Sequence, residues 1–194
     1  ITLNPNVPAK NWTEFAALAK QGKLNYASAG TGSATHLAAE YFAQVAGVKM
    51  LHVPYKGSPE AIQDAMTGRS AFYMAPINTV IGQMKDGKLA ALGVSTAKRS
   101  DVMPDVPPIA EQGLAGFDIS LWFGVWAPAG TPPAIVNKVN AQIATILASP
   151  EVREQFAKLG ITPSPMKPDE FARFVRGQIE TYRGIVKRAD IQPL

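Results

Sequence analysis

The chain has 194 residues, of which 46% are hydrophobic and 18% charged, and its net charge is +4. This balance predicts a packed globular protein rather than a disordered one. The basic residues form no run and do not alternate with aromatic residues, which argues against nucleic-acid binding. The absence of cysteine excludes disulfides, a thiol nucleophile and a Cys-ligated metal. No stretch is long enough to cross a bilayer, so membrane insertion is not expected.

The first predicted elements are a helix over residues 11–20 and a buried strand over 24–28. Asn11 is placed to cap the helix, and Glu14 occupies the capping-box position. The residues at the end of the strand and beyond it are all small: Ser28, Ala29, Gly30, Thr31, Gly32 and Ser33. A helix over 33–45, capped by Ser33, begins directly after them. Such a junction exposes backbone N–H groups at the positive end of a helix dipole, which predicts an anion-binding loop.

A second junction of the same kind follows. A predicted strand over 50–53 leads through Pro54, Tyr55, Lys56 and Gly57 into a helix over 58–66, with Ser58 as its cap. Two such junctions in one β-α-β-α pattern indicate a crevice for a small acidic molecule. Ligands bind at the carboxyl ends of strands in open sheets of this type.

The alternation continues through a strand over 70–74, the residues Ala75 and Pro76, a helix over 76–85 and a strand over 89–95. This steady succession of strand and helix predicts an α/β fold with a parallel, doubly wound sheet.

Beyond residue 95 the pattern changes. A Pro-rich connection over 103–108 precedes a short helix that ends at Gln112, and the change of character near 121–132 indicates a crossing between domains. The remaining predicted elements are strands over 119–127 and 161–165 and helices over 134–148, 150–159 and 168–189.

The sequence motifs argue against several kinds of catalytic and metal site. No Lys follows Gly32, so the loop is not a Walker motif, and no G-x-S-x-G nucleophile elbow occurs. His52 has no second His, Cys or carboxylate at metal-binding spacing, so no metal is expected. His36, one turn into its helix, is interpreted as a partly buried side chain bonded to backbone. No cofactor and no enzymatic activity are predicted.

Five motifs in one order carry a family resemblance. They are LNYASAG (24–30), HVPYKG (52–57), GKLAAL (87–92), KRS (98–100) and WFGVWAPAGTP (122–132). The series resembles the extracytoplasmic solute receptors of tripartite tricarboxylate transporters, the Bug/TctC family. The resemblance covers nearly the whole chain, and each motif alone is weak while the ordered set is specific.

The resemblance implies a periplasmic-binding-protein fold of type II-like architecture. Members have two α/β lobes that close on a small mono- or dicarboxylate, like a Venus flytrap, and deliver it to a membrane permease. Residues 8–118 resemble the complete second lobe, and residues 1–7 with 119–194 resemble the crossing strands and the C-terminal part of the first lobe. The N-terminal part of that first lobe is expected to be missing. Apolar helix faces left exposed there favour a dimer.

The resemblance also implies a periplasmic location, with the signal peptide outside this chain. Backbone amides and hydroxyls of the Gly-rich loop, helped by the loops at Tyr55 and Ala75, are expected to hold one carboxylate, partly through water. Trp122 is either hinge packing or a residue that faces the cleft. The full set of expected ligand-binding residues is Ser28, Ala29, Gly30, Thr31, Gly32, Ser33, His36, Tyr55, Lys56, Gly57, Ala75, Pro76 and Trp122.

Two other functions compete with a transport receptor. An effector-sensing domain of a regulator has the same fold, and an attached DNA-binding or other output module would favour it. An enzyme lobe that handles carboxylates is a third interpretation. It requires an acid/base pair converging in the crevice, and the sequence supplies none.

Overall fold

The computed structural model describes residues 1–191. The strands are β1 (Thr2–Leu3), β2 (Asn25–Ser28), β3 (Leu51–Pro54), β4 (Phe72–Tyr73) and β5 (Ala90–Ala91). The helices are α1 (Trp12–Ala19), α2 (Ala34–Ala46), α3 (Ser58–Thr67), α4 (Ile77–Lys85), α5 (Pro133–Ala148), α6 (Pro150–Lys158) and α7 (Pro168–Arg188). A short 3-10 helix spans Ile109–Gln112.

The strands form one sheet in the order β3-β2-β4-β1-β5. β2 pairs in parallel with both β3 and β4, whereas β1 runs antiparallel to β4 and β5. The predicted α/β class with a parallel-rich sheet is therefore confirmed, with β1 as the reversed strand. Because β2 lies between β3 and β4, the loops that follow these three parallel strands lie side by side at the carboxyl ends of the strands.

The side chains of β2 show why helices cover both faces of this sheet. Tyr26 and Ala27 are fully buried neighbours that point to opposite faces. Tyr26 packs against Phe72, with ring centroids 5.4 Å apart. The aromatic rings of Phe15 in α1 and Phe42 in α2 pack together on the same face of the sheet. Ala27 belongs to the opposite cluster, which includes Ala61 of α3 and Val80 of α4. Two apolar faces require two helical layers, as in a doubly wound fold.

Two of the predicted helix caps are confirmed and one is wrong. Asn11 Oδ1 accepts from the N–H of Glu14 at 3.0 Å, and the Ser33 side chain caps α2. Gly57, not Ser58, occupies the cap position of α3 and makes no side-chain bond there. The Ser58 hydroxyl instead accepts from the hydroxyl of Tyr73 at 2.8 Å, so it ties α3 to β4.

The predicted strands over 119–127 and 161–165 are wrong, and the strand over 89–95 is shorter than expected. Ile119 donates its N–H to Ser95 O at 2.9 Å, but no ladder continues along the apolar segment after it within residues 1–191. An extended apolar segment becomes a strand only where a neighbouring strand pairs with it. Several side chains of this segment are strongly exposed, as Phe123 is at 80%.

The chain divides into two compact units. The first comprises Ile1–Leu121 together with residues 185–191, and the second comprises Trp122–Gly184. The second unit holds α5, whose apolar residues Ile135, Val139 and Ile146 are about half exposed. The assignment of residues 8–118 to a complete lobe stays a prediction, as does the dimer expected from exposed apolar faces.

Candidate functional site

The predicted site loops lie at the carboxyl ends of β2, β3 and β4. The segment over residues 28–33, called the ligand loop after its predicted role, contacts the loop after β3 directly. The N–H of Tyr55 donates to Ser28 O at 3.0 Å. A Cβ added to Gly30 would lie 3.1 Å from Tyr55 O, so the two backbones approach as closely as glycine permits. The structure thus brings these two predicted loops together.

Most N–H groups of the ligand loop are used to hold its own shape. Gly30 donates to Ser28 Oγ at 3.1 Å, and Gly32 donates to His36 Nδ1 at 3.0 Å. Ser33 donates to Gly30 O at 3.1 Å. Ala29 donates to the hydroxyl of Thr35 at 2.9 Å. These bonds make the loop a preformed structure rather than a flexible turn.

Three N–H groups of the junction have no acceptor within residues 1–191: those of Thr31, Ala34 and Thr35. The last two belong to the first turn of α2, where an intrahelical acceptor does not exist. The Ser33 hydroxyl already accepts from His36 N–H and lies 3.0 Å from Thr35 Oγ1. Free donors at the start of a 13-residue helix suit an anion, because the helix dipole adds partial positive charge there.

The other predicted contacts are differently placed. Lys56 is exposed, and its N–H donates to Glu60 Oε2 at 2.9 Å. Interaction with the Asp64 carboxylate raises the pKa of the Tyr55 hydroxyl. Ala75 and Pro76 are half-buried after β4, where Pro76 precedes α4 without a side-chain cap. Their roles in binding stay predictions.

Trp122 lies in the second unit, within an aromatic cluster. Its ring centroid is 5.1 Å from that of Phe174 and 6.0 Å from that of Phe171. Its indole N–H donates to Gln178 Oε1 at 3.2 Å. Half-buried with a satisfied N–H, it has the environment of a packing residue.

A stacked pair of histidines lies against the ligand loop. The rings of His36 and His52 are 3.8 Å apart between centroids and tilted by 8°, and Tyr26 stacks on His52 at 5.0 Å. Tyr26 and His52 face each other across the β2–β3 ladder. His36 is buried and bonded to backbone, as predicted from the sequence.

Sequence reasoning missed this pair because it sought partners of His52 at short spacing along the chain. The pair arises from the strand register and from the orientation of α2. The sequence did offer one indication of the pair, because each histidine lies beside a predicted site loop. His36 follows the first loop by three residues, and His52 precedes Tyr55 by three.

Burial favours the uncharged form of both imidazoles. Burial, then repulsion from His36, lowers the pKa of His52 from 6.5 to about 4. Burial also lowers the pKa of His36, while the Glu40 carboxylate opposes that shift. Between about pH 6.5 and their lowered pKa values, these two histidines therefore bind fewer protons in the folded protein than in the unfolded chain. The stability that these groups contribute is lost as the pH falls from that value towards their folded pKa values.

A separate groove of about 500 Å³ lies beside the segment that follows β1 and the C-terminal end of α3. Its lining residues are Asn4, Pro5, Asn6, Gln63, Met66, Thr67 and Lys88. The Asn4 side chain is already used, because it donates to Ala65 O and Met66 O at 2.9 Å. This groove does not include any residue of the predicted site.

The structure described also bears on a metal site and on membrane insertion. Within residues 1–191, no three His, Asp or Glu side chains group in a way that would hold a metal ion. None of the helices described combines the length and apolar character needed to cross a bilayer.

The chain is similar to several known proteins in sequence and in fold. The chain is 36% identical over 169 residues to the protein BugT of Bordetella pertussis, covering 87% of this chain and 52% of BugT. The fold matches the structure titled "R. palustris Rpa4515 with adipate" with a TM-score of 0.88 and 31% identity, covering 100% of this chain and 65% of that one. It also matches the structure of MatC from Rhodopseudomonas palustris with bound malate. The TM-score is 0.79 and the identity 30%, and the match covers 95% of this chain and 65% of MatC.

The chain spans about half the length of the curated relatives it matches. A family model described as "Tripartite tricarboxylate transporter family receptor", TctC, matches residues 1–191. This family consists of solute-binding receptors and not of enzymes, as predicted, and its match confirms the Bug/TctC resemblance. The chain belongs to the TctC family of tripartite tricarboxylate transporter receptors.

Proposed function

We propose that this protein is a periplasmic receptor that binds a small mono- or dicarboxylate at the ligand loop without chemical change. The observation that carries the proposal is the set of free N–H groups of Thr31, Ala34 and Thr35. They lie at the start of α2, beside the loop after β3. Adipate and malate in the two similar structures support a carboxylate as the ligand class.

Binding at such a site needs no charged side chain. Two carboxylate oxygens accept from the N–H groups at the helix start, where the dipole favours negative charge. Ordered water bridges to the loops at Tyr55 and Ala75. Because residue 75 is Ala rather than an acid, this position offers no partner for a ligand amine. We therefore expect carboxylates without an amino group to bind best.

The proposed mechanism of signalling is closure of two lobes about the crossing segment near residues 119–127. Closure on a carboxylate changes the surface that a membrane permease of the tripartite tricarboxylate type recognises. Residues 8–118 form the ligand-binding lobe in this proposal, and Trp122 lies in the crossing segment. Capture of the chain by purified permease subunits, only when carboxylate is present, tests the delivery step.

We predict that the protein binds adipate, malate or a related carboxylate and does not bind the matching methyl esters. Esterification removes the charge that the free N–H groups are placed to hold. Calorimetry and thermal shift measure this on the chain and on the longest natural form that contains it. Binding only by the longer form supports a two-lobe receptor. Equal binding of acid and ester would contradict the proposed site.

We also predict that this chain alone self-associates through the exposed apolar residues of α5, among them Ile135, Val139 and Ile146. Light scattering should then give a mass above the 20.7 kDa of a single chain. The double variant Ile135→Glu, Val139→Glu should return the protein to monomer mass. A monomer at every concentration would argue against the dimer.

A further inference from the structure

We propose that the stacked pair His36–His52 positions the ligand loop, and that the loop keeps its carboxylate-binding shape only while both imidazoles are uncharged. This inference rests on the proposed function of that loop. It assigns to His36 and His52 a positioning role, because both act through backbone and hydroxyl groups rather than on the carboxylate.

The two rings hold opposite ends of the ligand loop. At its start, Ser28 Oγ lies 2.6 Å from His52 Nε2. The same hydroxyl oxygen accepts from Gly30 N–H at 3.1 Å and lies 3.2 Å from Gly30 O. At the other end, His36 Nδ1 accepts from Gly32 N–H at 3.0 Å. The loop between these anchors carries Thr31, one of the free N–H donors.

Stacking makes the two anchors one rigid unit. The His36 and His52 rings lie nearly parallel at 3.8 Å, and the fully buried Tyr26 continues the stack at 5.0 Å from His52. The Tyr26 hydroxyl donates to Glu40 Oε1, which ties the far end of the stack to α2. A change at either imidazole is therefore transmitted to both ends of the loop.

Protonation would break this arrangement at a defined atom. His36 Nδ1 accepts a hydrogen bond only when it carries no proton, so the imidazolium would place a donor against the Gly32 N–H. Two imidazolium rings at 3.8 Å would also repel each other. The titratable groups that face the pair are Tyr26 of β2 and Glu40 of α2. Burial opposes a proton on His36 while Glu40 favours it, and burial and His36 together oppose a proton on His52.

The first test does not depend on any ligand. NMR of 15N-labelled protein follows the Gly32 amide and the His36 ring from about pH 7.5 down to about pH 4. We expect the amide shift of Gly32 to titrate with the ring in the wild type. It should stay level in His36→Asn, whose side-chain oxygen replaces Nδ1 as acceptor without titrating. A level Gly32 shift in the wild type while His36 protonates would overturn the inference.

The second test measures adipate affinity by calorimetry over the same pH range. The wild type should lose up to about tenfold in affinity per pH unit beyond the loss seen in His36→Asn. Titration of adipate itself is common to both proteins, so their difference reports the imidazole. At neutral pH, His36→Asn should bind more tightly than His36→Ala, which removes the acceptor. Identical acid dependence in wild type and His36→Asn would contradict the proposal.

His52→Gln provides a check on the other anchor, because its side-chain amide reaches the Ser28 hydroxyl without titrating. We expect its acid dependence to be weaker than that of the wild type, and unchanged dependence counts against a role for the pair. If no carboxylate binds any of these proteins, either as this chain or in the longer natural form, the proposed function fails, while the Gly32 titration still decides whether the pair positions the loop.

Discussion

Gly30→Ala is expected to weaken carboxylate binding by about ten- to a hundredfold. Gly30 has φ of +125°, a conformation that costs a residue with a side chain about 1–3 kcal/mol. Its new Cβ would also lie 3.1 Å from Tyr55 O, a backbone atom that cannot rotate away. Relief requires the ligand loop to shift, which displaces the N–H of Thr31. Each 1.4 kcal/mol lost from binding is about a tenfold change in Kd.

Calorimetry with the carboxylate that the wild type binds best measures this effect, and Gly22→Ala is its matched control. Gly22 also has a positive φ, +69°, but a Cβ there meets nothing within 4 Å. The control should bind like the wild type, although its positive φ costs the Ala variant about 1–2 kcal/mol of stability. Equal binding by Gly30→Ala and Gly22→Ala would show that the loop shape is unimportant for the ligand.

Phe42→Ala is expected to destabilise the first unit by about 3–5 kcal/mol. The Phe42 side chain is fully buried and lies within 5.1–6.0 Å, between ring centroids, of Trp12, Phe15, Phe72 and Phe117. Its removal leaves a cavity among rings that are fixed by α1, β4 and the connection after β5. Since domains are stable by about 5–15 kcal/mol, the variant loses a large part of its total stability.

Denaturant unfolding followed by circular dichroism measures the change. The chemically matched control is Phe123→Ala, since the Phe123 side chain is 80% exposed. It should change stability by less than about 0.5 kcal/mol. If the two variants unfold at the same denaturant concentration, the aromatic cluster around Phe42 is not the core of the first unit.

The α/β order and the compact form of the loop over residues 28–33 were predictable from the sequence because both depend on local chemistry. Apolar periodicity separates strand from helix, and Asn11 and Ser33 carry side chains that satisfy helix N–H groups wherever a helix begins. The small residues from Ser28 to Ser33 indicate a close backbone approach, which the contact between Gly30 and Tyr55 O now displays. The family motifs were likewise visible in the sequence, because each is a short run of consecutive residues.

Tertiary structure alone decided the features that depend on residues far apart in the chain. Residues 119–127 have the composition of a strand, but a strand exists only where another strand supplies its hydrogen bonds. The direction of β1 was set by its pairing with β4 and β5. His36 and His52 meet because the β2–β3 register places His52 beside Tyr26, and α2 brings His36 onto the same stack. Local patterns carry no information about such register, so the histidine pair became visible only in the folded chain.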